Sequence, residues 1–395
     1  MLGRMATTKP SPALLREMSD ESVLRALMDQ GRLTRAELSV VTGLSKPTAG
    51  EAVRRLKAAG LVRDTGVRTS SRGGVGTYYA LAADLGSALA VSIAPGSVLV
   101  ELLDVAGAVL DRVIEAVQRP ASPEDVAAAL RRCVLGALRG RRGVVAVVSA
   151  ANPVNRTSGE LVHLPGAPFL LGPISPGETL APLVEGPVVV DNDVNWAARA
   201  ERAVRARSVD NQVEDFAYLY LGEGVGCAVV SDGEVRRGHR GLAGEVGYLL
   251  VRGPGGQAVP LTVLFGHLGL CHPGSTAIDV ERLLRALAAA NGEVLAHELA
   301  EAISGVVEAA IAFADPALVV IGGPWGRASS FLTELGAALS ELSSSTRLEA
   351  PQTGDNAALA GARAAAVQGL RSEIIALINK EGDGCDGPLR PTESR

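Results

Sequence analysis

The chain has 395 residues, 47% of them hydrophobic, and a net charge of −5, which allows a large core and suits two or three domains rather than one. No apolar run reaches the roughly 18–20 residues of a membrane span, and residues 1–18 lack the apolar core and small-residue cleavage site of a secretory signal. Cys133, Cys227, Cys271 and Cys385 are scattered without close pairs, so the sequence predicts a cytoplasmic protein with no membrane partner and no disulfide framework.

Residues 1–13 read as a disordered leader. Residues 14–80 read as a winged helix-turn-helix. Leu24, Leu27 and Met28 form one apolar stripe, Leu38 and Val41 a second, Val53 and Leu56 a third, all at helical spacing. Gly31 ends the first helix, Thr34 with Glu37 offers the second a capping box, and Gly43 breaks the chain. Ser45 can cap the third helix, whose Pro47 is tolerated in a first turn, and Gly60 stops it before a strand begins at Leu61-Val62. Two strands around a flexible tip with Arg68 and Arg72 then make the wing. Three short helices with a glycine turn before the last are a DNA-binding arrangement.

Charge agrees with that reading. Residues 1–80 hold ten Arg and three Lys against three Asp and four Glu, a surplus of six, which leaves −11 for the remainder. A basic small domain on an acidic large one is expected when one end meets phosphate. The alternative is a small bundle with a solvated Arg face; caps, turn, wing and charge together favour DNA.

From about residue 81 strands alternate with Ala-rich helices. Residues 88–110 read as strand, Ala-Pro-Gly-Ser turn, strand, then Gly107 and another strand. A helix is predicted over 123–138 and a buried strand over 143–150. Residues 186–207 read as a strand ending in acidic and amide residues, then a helix, and 216–238 as a second strand–Gly-turn–strand unit. A strand ending in Gly-Gly over 314–326 and a small-residue helix over 355–370 follow. The recurrence predicts two related α/β lobes facing a cleft within residues 81–378, with 379–395 a disordered tail.

Three segments then carry a resemblance: Asn192-Asp193-x-Asn195 before an Ala-rich helix, Leu221-Gly222-Glu223-Gly224-Val225-Gly226, and Gly238-x₂-Gly241-Leu242-Ala243-Gly244-Glu245-Val246-Gly247. Gly322-Gly323 and Gly361-Ala362 add to them. On these the chain resembles the ROK family of repressors, open reading frames and sugar kinases, in its winged-helix regulator branch, over residues 14–375. The resemblance implies an α/β protein: an N-terminal winged helix-turn-helix followed by a two-lobed actin-like, ribonuclease-H-like ATPase fold, the ROK domain, assembled as a homodimer or homotetramer.

In the family's kinases an Asp at the position of Asp193 is the general base on a sugar hydroxyl; the same carboxylate can simply bind a sugar. Asn192, Asp193 and Glu245 are the implied sugar contacts, with Gly166 in the 166–172 stretch that closes over sugar in relatives. The alternatives are that Asp191, Asn192 and Asp193 only cap the following helix, or that the ligand is unrelated. Phosphoryl transfer is disfavoured, and no catalytic residue or cofactor is expected. Ser92 stands where kinases place a metal-side Asp, Pro95 removes an amide donor, and Glu223 replaces a Thr and would repel polyphosphate. Trp325 follows the Gly-Gly turn where relatives approach adenine. The family's structural zinc is not expected, since Tyr248 replaces a His ligand. His267, Cys271 and His272 could supply three ligands, but a surface turn ended by Pro273 is favoured.

For DNA, the third helix implies contacts from Ser45, Lys46, Thr48 and Glu51 near its start and from Arg54 and Arg55 on the backbone, with Arg68 and Arg72 on the wing. The expected function is a repressor that binds double-stranded DNA at an inverted-repeat operator and answers a sugar or phosphosugar. The alternative is a ligand-independent or protein-controlled DNA-binding regulator.

Overall fold

The computed structural model describes residues 11–69, 76–164, 169–207, 213–341 and 346–382. It opens with a head: α1 (Pro12–Gln30), β1 (Arg32–Thr34), α2 (Arg35–Thr42), α3 (Lys46–Ala58), β2 (Val62–Arg68) and β3 (Thr77–Leu81). The local signals act as expected. Thr34 and Glu37 make both bonds of the capping box, Ser45 accepts the Thr48 N–H, and Pro47 sits in the first turn of α3. The helix α1 starts two residues inside the stretch assigned to a leader, because Ser11 caps it by accepting the Leu14 N–H. Arg72 lies outside the described residues.

Val23, Leu24, Leu27, Leu38, Val53 and Leu56 form the centre of the head's core. Val41 does not join it and is 47% exposed. The helix α2 ends one residue later, and Leu44 beyond the turn packs on the core instead.

Lobe 1 contains β4 (Ser87–Ala94), β5 (Ser97–Leu103), β6 (Val109–Ala116), α4 (Pro123–Leu138), β7 (Gly143–Ala150), α5 (Pro176–Leu180) and β8 (Val188–Asn192). The helix α6 (Asp193–Arg205) leads on to lobe 2. That lobe contains β9 (Phe216–Leu221), β10 (Val225–Ser231), β11 (Glu234–Val235), β12 (Leu250–Arg252), β13 (Ala258–Pro260), α7 (Leu261–His267), α8 (Val280–Leu287), α9 (Gly292–Ala314), β14 (Leu318–Gly322), α10 (Ser329–Glu341) and β15 (Arg347–Glu349). A long helix, α11 (Ala357–Gly382), follows and runs past residue 378, where the tail was placed.

The sheets run β6-β5-β4-β7-β8 and β11-β10-β9-β14-β15. In each, the first three strands are antiparallel and the last two are added in parallel. This is the predicted duplication. In lobe 1 both sheet faces are covered, so β4 and β7 are apolar apart from Ser87, Ser92 and Ser149. Leu89, Val91, Ala146 and Val148 pack in one core with Cys133 and Leu130 of α4. Ala88, Ala90, Val145 and Val147 face the other way, into a core shared with Trp196 of α6 and Ala362, Ala366, Leu370 and Ile374 of α11. That second core is continuous with the core of the head. Arg371 reinforces the join: Nη1 meets Asp29 at 2.8 Å, Nη2 donates to the Met28 carbonyl at 3.1 Å, and Nε donates to the Val105 carbonyl at 3.0 Å.

Candidate functional site

A cavity of about 760 Å³ lies between the lobes. Each lobe contributes its first hairpin turn, Pro95 and Ser97 from β4–β5 and Glu223 and Gly224 from β9–β10. The starts of α6 and α11 supply Asp193 and Ala357.

Of the three residues at the end of β8, Asn192 is the cap: its Oδ1 accepts the Val194 N–H at 2.9 Å. Its amide nitrogen donates to the carbonyls of Asn152 at 3.2 Å and Ala150 at 3.4 Å. Asn192 lines the cavity as expected of a contact residue, and its side chain is shared between these main-chain carbonyls and the neighbouring Asp193 carboxyl. Asp191 is buried and ion-paired with Arg199 at 2.7 Å and with Arg237 at 3.2 Å.

Asp193 is left facing the cavity as the first residue of α6. Burial pushes its carboxyl up to about 7, against the lowering effect of the Val194 N–H. Glu245 lines the same space and is also pushed up to about 7, chiefly by burial and then by the charge of Asp193. Its position depends on Gly244, whose φ is +91° and where a Cβ would stand 1.7 Å from the Cys227 carbonyl oxygen. The Cys227 N–H donates to the Gly244 carbonyl at 2.9 Å, so the loop lies flat on β10.

The sequence reading missed Tyr218 and Tyr220, which also line the cavity. Burial raises both phenols to about 12, keeping them neutral. Their alternation in FAYLYL was the available signal, since residues two apart in a strand share a face. Gly166 lies outside the described residues, whereas Phe169 of the same stretch lines the cavity. Carboxylates and phenols converging in this way suit a ligand rich in hydroxyl donors and acceptors.

Trp325 is not at the cavity. It is fully buried between Phe265 and Phe331, edge to face, and its indole donates to the Gly222 carbonyl at 3.0 Å. No three metal-ligating side chains converge among the described residues. The helix α7 ends at His267, so Cys271 does not share a helical face with it; the Cys271 thiol points to the Thr276 carbonyl.

On the head, Ser45, Lys46, Thr48, Glu51, Arg54 and Arg68 are exposed. Ser45 and Thr48 bond to each other through their hydroxyls at 2.7 Å, and Arg54 Nε donates to Glu51 at 3.1 Å. Arg55 is a correction. Its guanidinium grips Asp20 through two bonds, at 2.7 and 3.0 Å, and so clamps α3 onto α1 rather than facing outward. Exposed Arg63 on β2 is a cation the sequence reading did not single out.

Comparisons with known proteins fit this anatomy. The ROK family profile matches residues 100–368, and a winged helix-turn-helix DNA-binding profile matches residues 19–63. The bifunctional enzyme NanE/NanK of Brucella suis is 33% identical over 198 residues, 47% of this chain and 36% of that protein. The xylose repressor of Caldicellulosiruptor bescii is 23% identical over 246 residues, 60% of each. The chain thus spans less than two thirds of the length of these curated relatives. Among solved structures, a ROK family transcriptional regulator, a homolog of E. coli MLC, aligns over 93% of this chain and all of its own at 19% identity, with a TM-score of 0.63. A Streptomyces griseus ROK glucokinase in complex with glucose and AMPPNP aligns over 72% of this chain and all of its own, at 22% identity and a TM-score of 0.54. At these identities the likeness is one of fold.

Proposed function

The chain belongs to the ROK family and carries a winged helix-turn-helix, and from that premise we propose that it is a DNA-binding transcriptional regulator, a repressor, whose cavity senses a sugar. One observation carries the reading. The helix α11 begins at the cavity wall with Ala357 and Leu359, and its Leu370 and Ile374 lie in the same core as Val23 and Leu27 of the head. A ligand that prefers one arrangement of the lobes then changes DNA affinity by that preference.

Asp193 and Glu245 are the sugar contacts in this reading; Lys46, Thr48, Arg54 and Arg68 are the DNA contacts, with Ser45 and Glu51 beside them. The protein acts in the cytoplasm as a homodimer or homotetramer. Two heads present their α3 helices roughly 34–36 Å or a multiple apart, favouring an inverted-repeat operator. In this reading it has no catalytic turnover, because Ser92 on β4 and Glu223 in the β9–β10 turn line the cavity where a kinase would hold metal and phosphate.

The test is binding to a duplex that the protein selects from genomic fragments, titrated with a panel of carbohydrates. One sugar or a group of related sugars should change the affinity at least about tenfold, or about 1.4 kcal/mol. Retained DNA binding with no response to any of them overturns the sensing role and leaves the ligand-independent regulator. ATP turnover with a hexose, abolished by Asp193→Asn, overturns the non-enzymatic part.

A further inference from the structure

We propose that Arg119 and Glu223 form an internal ion pair that closes the hairpin-turn end of the cavity to phosphate, so that the effector is a neutral, unphosphorylated sugar. The choice of sugar rests on the sensing role proposed above; the exclusion of phosphate does not.

Arg119 follows β6 in lobe 1 and Glu223 sits in the β9–β10 turn of lobe 2, yet Nη1 and Oε2 are 2.7 Å apart across 104 residues of sequence. The guanidinium has a shaped seat. Gly96 in the β4–β5 turn has φ of +82°, and a Cβ there would stand 2.3 Å from Arg119 Nε. The Val117 N–H donates to the Gly96 carbonyl at 3.0 Å and fixes the segment beside that turn. One side chain therefore lies against the hairpin turn of its own lobe and ion-pairs with the turn of the other. Phe169 of lobe 1 rests on Gly224 beside it, where a Cβ would be 3.2 Å from Cε2.

The charges around the cavity point the same way. Among the described residues its lining holds four carboxyls, Asp193, Glu223, Glu245 and Asp355, and two cations, Arg112 and Arg327. Arg327 meets Asp355 at 2.5 Å, while the largely exposed Arg112 lies 3.6 Å from the buried Glu101, whose two oxygens are held by Arg363. Among the described residues neither Asp193 nor Glu245 is ion-paired. A phosphate entering would have to displace Glu223 from Arg119 and remain beside the freed carboxylate. A neutral polyol needs no counter-charge and donates its hydroxyls to Asp193 and Glu245.

Calorimetric titration of the full chain with neutral sugars, their phosphate esters and inorganic tripolyphosphate tests this. The unaltered protein should bind a neutral sugar at least about tenfold more tightly than its phosphate ester and should not bind tripolyphosphate. Glu223→Gln frees Arg119 and should gain tripolyphosphate binding, at least about tenfold. The double variant Arg119→Met, Glu223→Gln should lose that gain, which assigns it to the guanidinium rather than to a loosened cleft. A phosphate ester bound as tightly as its parent sugar, or tripolyphosphate bound equally by unaltered protein and Glu223→Gln, overturns the proposal. If tripolyphosphate discriminates as expected but no sugar binds, the closure stands and the sensing role falls.

Discussion

The head meets lobe 1 and lobe 1 meets lobe 2 through opposite chemistry. At the first junction Val23, Leu24 and Leu27 share a dry core with Leu370 and Ile374 of α11. Around the cavity the lobes are joined by ion pairs, Arg119–Glu223 at 2.7 Å and Arg237–Asp191 at 3.2 Å, with α6 and the start of α11 as apolar elements common to both. Apolar burial is non-directional and is lost only when surfaces separate. An ion pair is a discrete bond that a ligand or solvent can replace. The difference predicts which parts move together: head, the body of α11 and lobe 1 as one unit, and lobe 2 against it.

The largest test of that contrast is Leu370→Ala. Removing a fully buried Leu from the shared core should cost about 2–5 kcal/mol. Head and lobe 1 should still unfold in a single transition, followed by circular dichroism in urea; separate melting of the head would break the comparison.

Next is Asp193→Asn, which should weaken sugar binding roughly 10–100-fold, since a hydrogen bond to a charged group contributes about 1.5–3 kcal/mol, while the urea midpoint stays within error or rises. The same residue sharpens a pH effect. Asp193 and Glu245 rise from ordinary values of 3.8 and 4.5 to about 7 on folding. The folded chain therefore holds more protons between those limits, and the empty protein should lose stability as pH climbs from about 4 to 7. Sugar hydroxyls donate to the ionised carboxylates, so affinity should increase through about pH 7, and Asp193→Asn should flatten that rise.

On the head, Arg55→Met should cost about 1–3 kcal/mol by leaving the largely buried Asp20 unpaired. Lys46→Met should instead leave stability unchanged, weaken DNA binding across sequences and reduce the salt slope by about 1. The smallest effect is expected from Asp29→Asn. The ion pair of this exposed carboxylate with Arg371 should contribute no more than about 1 kcal/mol, so the head should stay in place without it.

How much of this was legible follows the range of each interaction. The caps at Thr34 and Ser45, the helix over 123–138 and the strand over 143–150 depend on neighbours a few residues away, and the sequence identifies them. The matching order of the two sheets follows from a repeated strand–turn–strand pattern. Asp193 and Glu245 are singled out by family motifs, and the fold brings both to one cavity. Arg55 was misread because its spacing on α3 is that of a phosphate contact, while its partner lies 35 residues earlier. The Arg119–Glu223 pair and the Arg371–Asp29 pair join residues 104 and 342 positions apart, which no local periodicity encodes.

The continuous core between α1 and α11 has a practical consequence for anyone recombining these proteins. Grafting a foreign winged helix onto this ROK domain would set an unmatched face against Leu370 and Ile374, and trimming α11 would strip the cover from Val23 and Leu27. The first and last helices of the fold must be exchanged as a matched pair, so the workable crossover leaves both on the same parent.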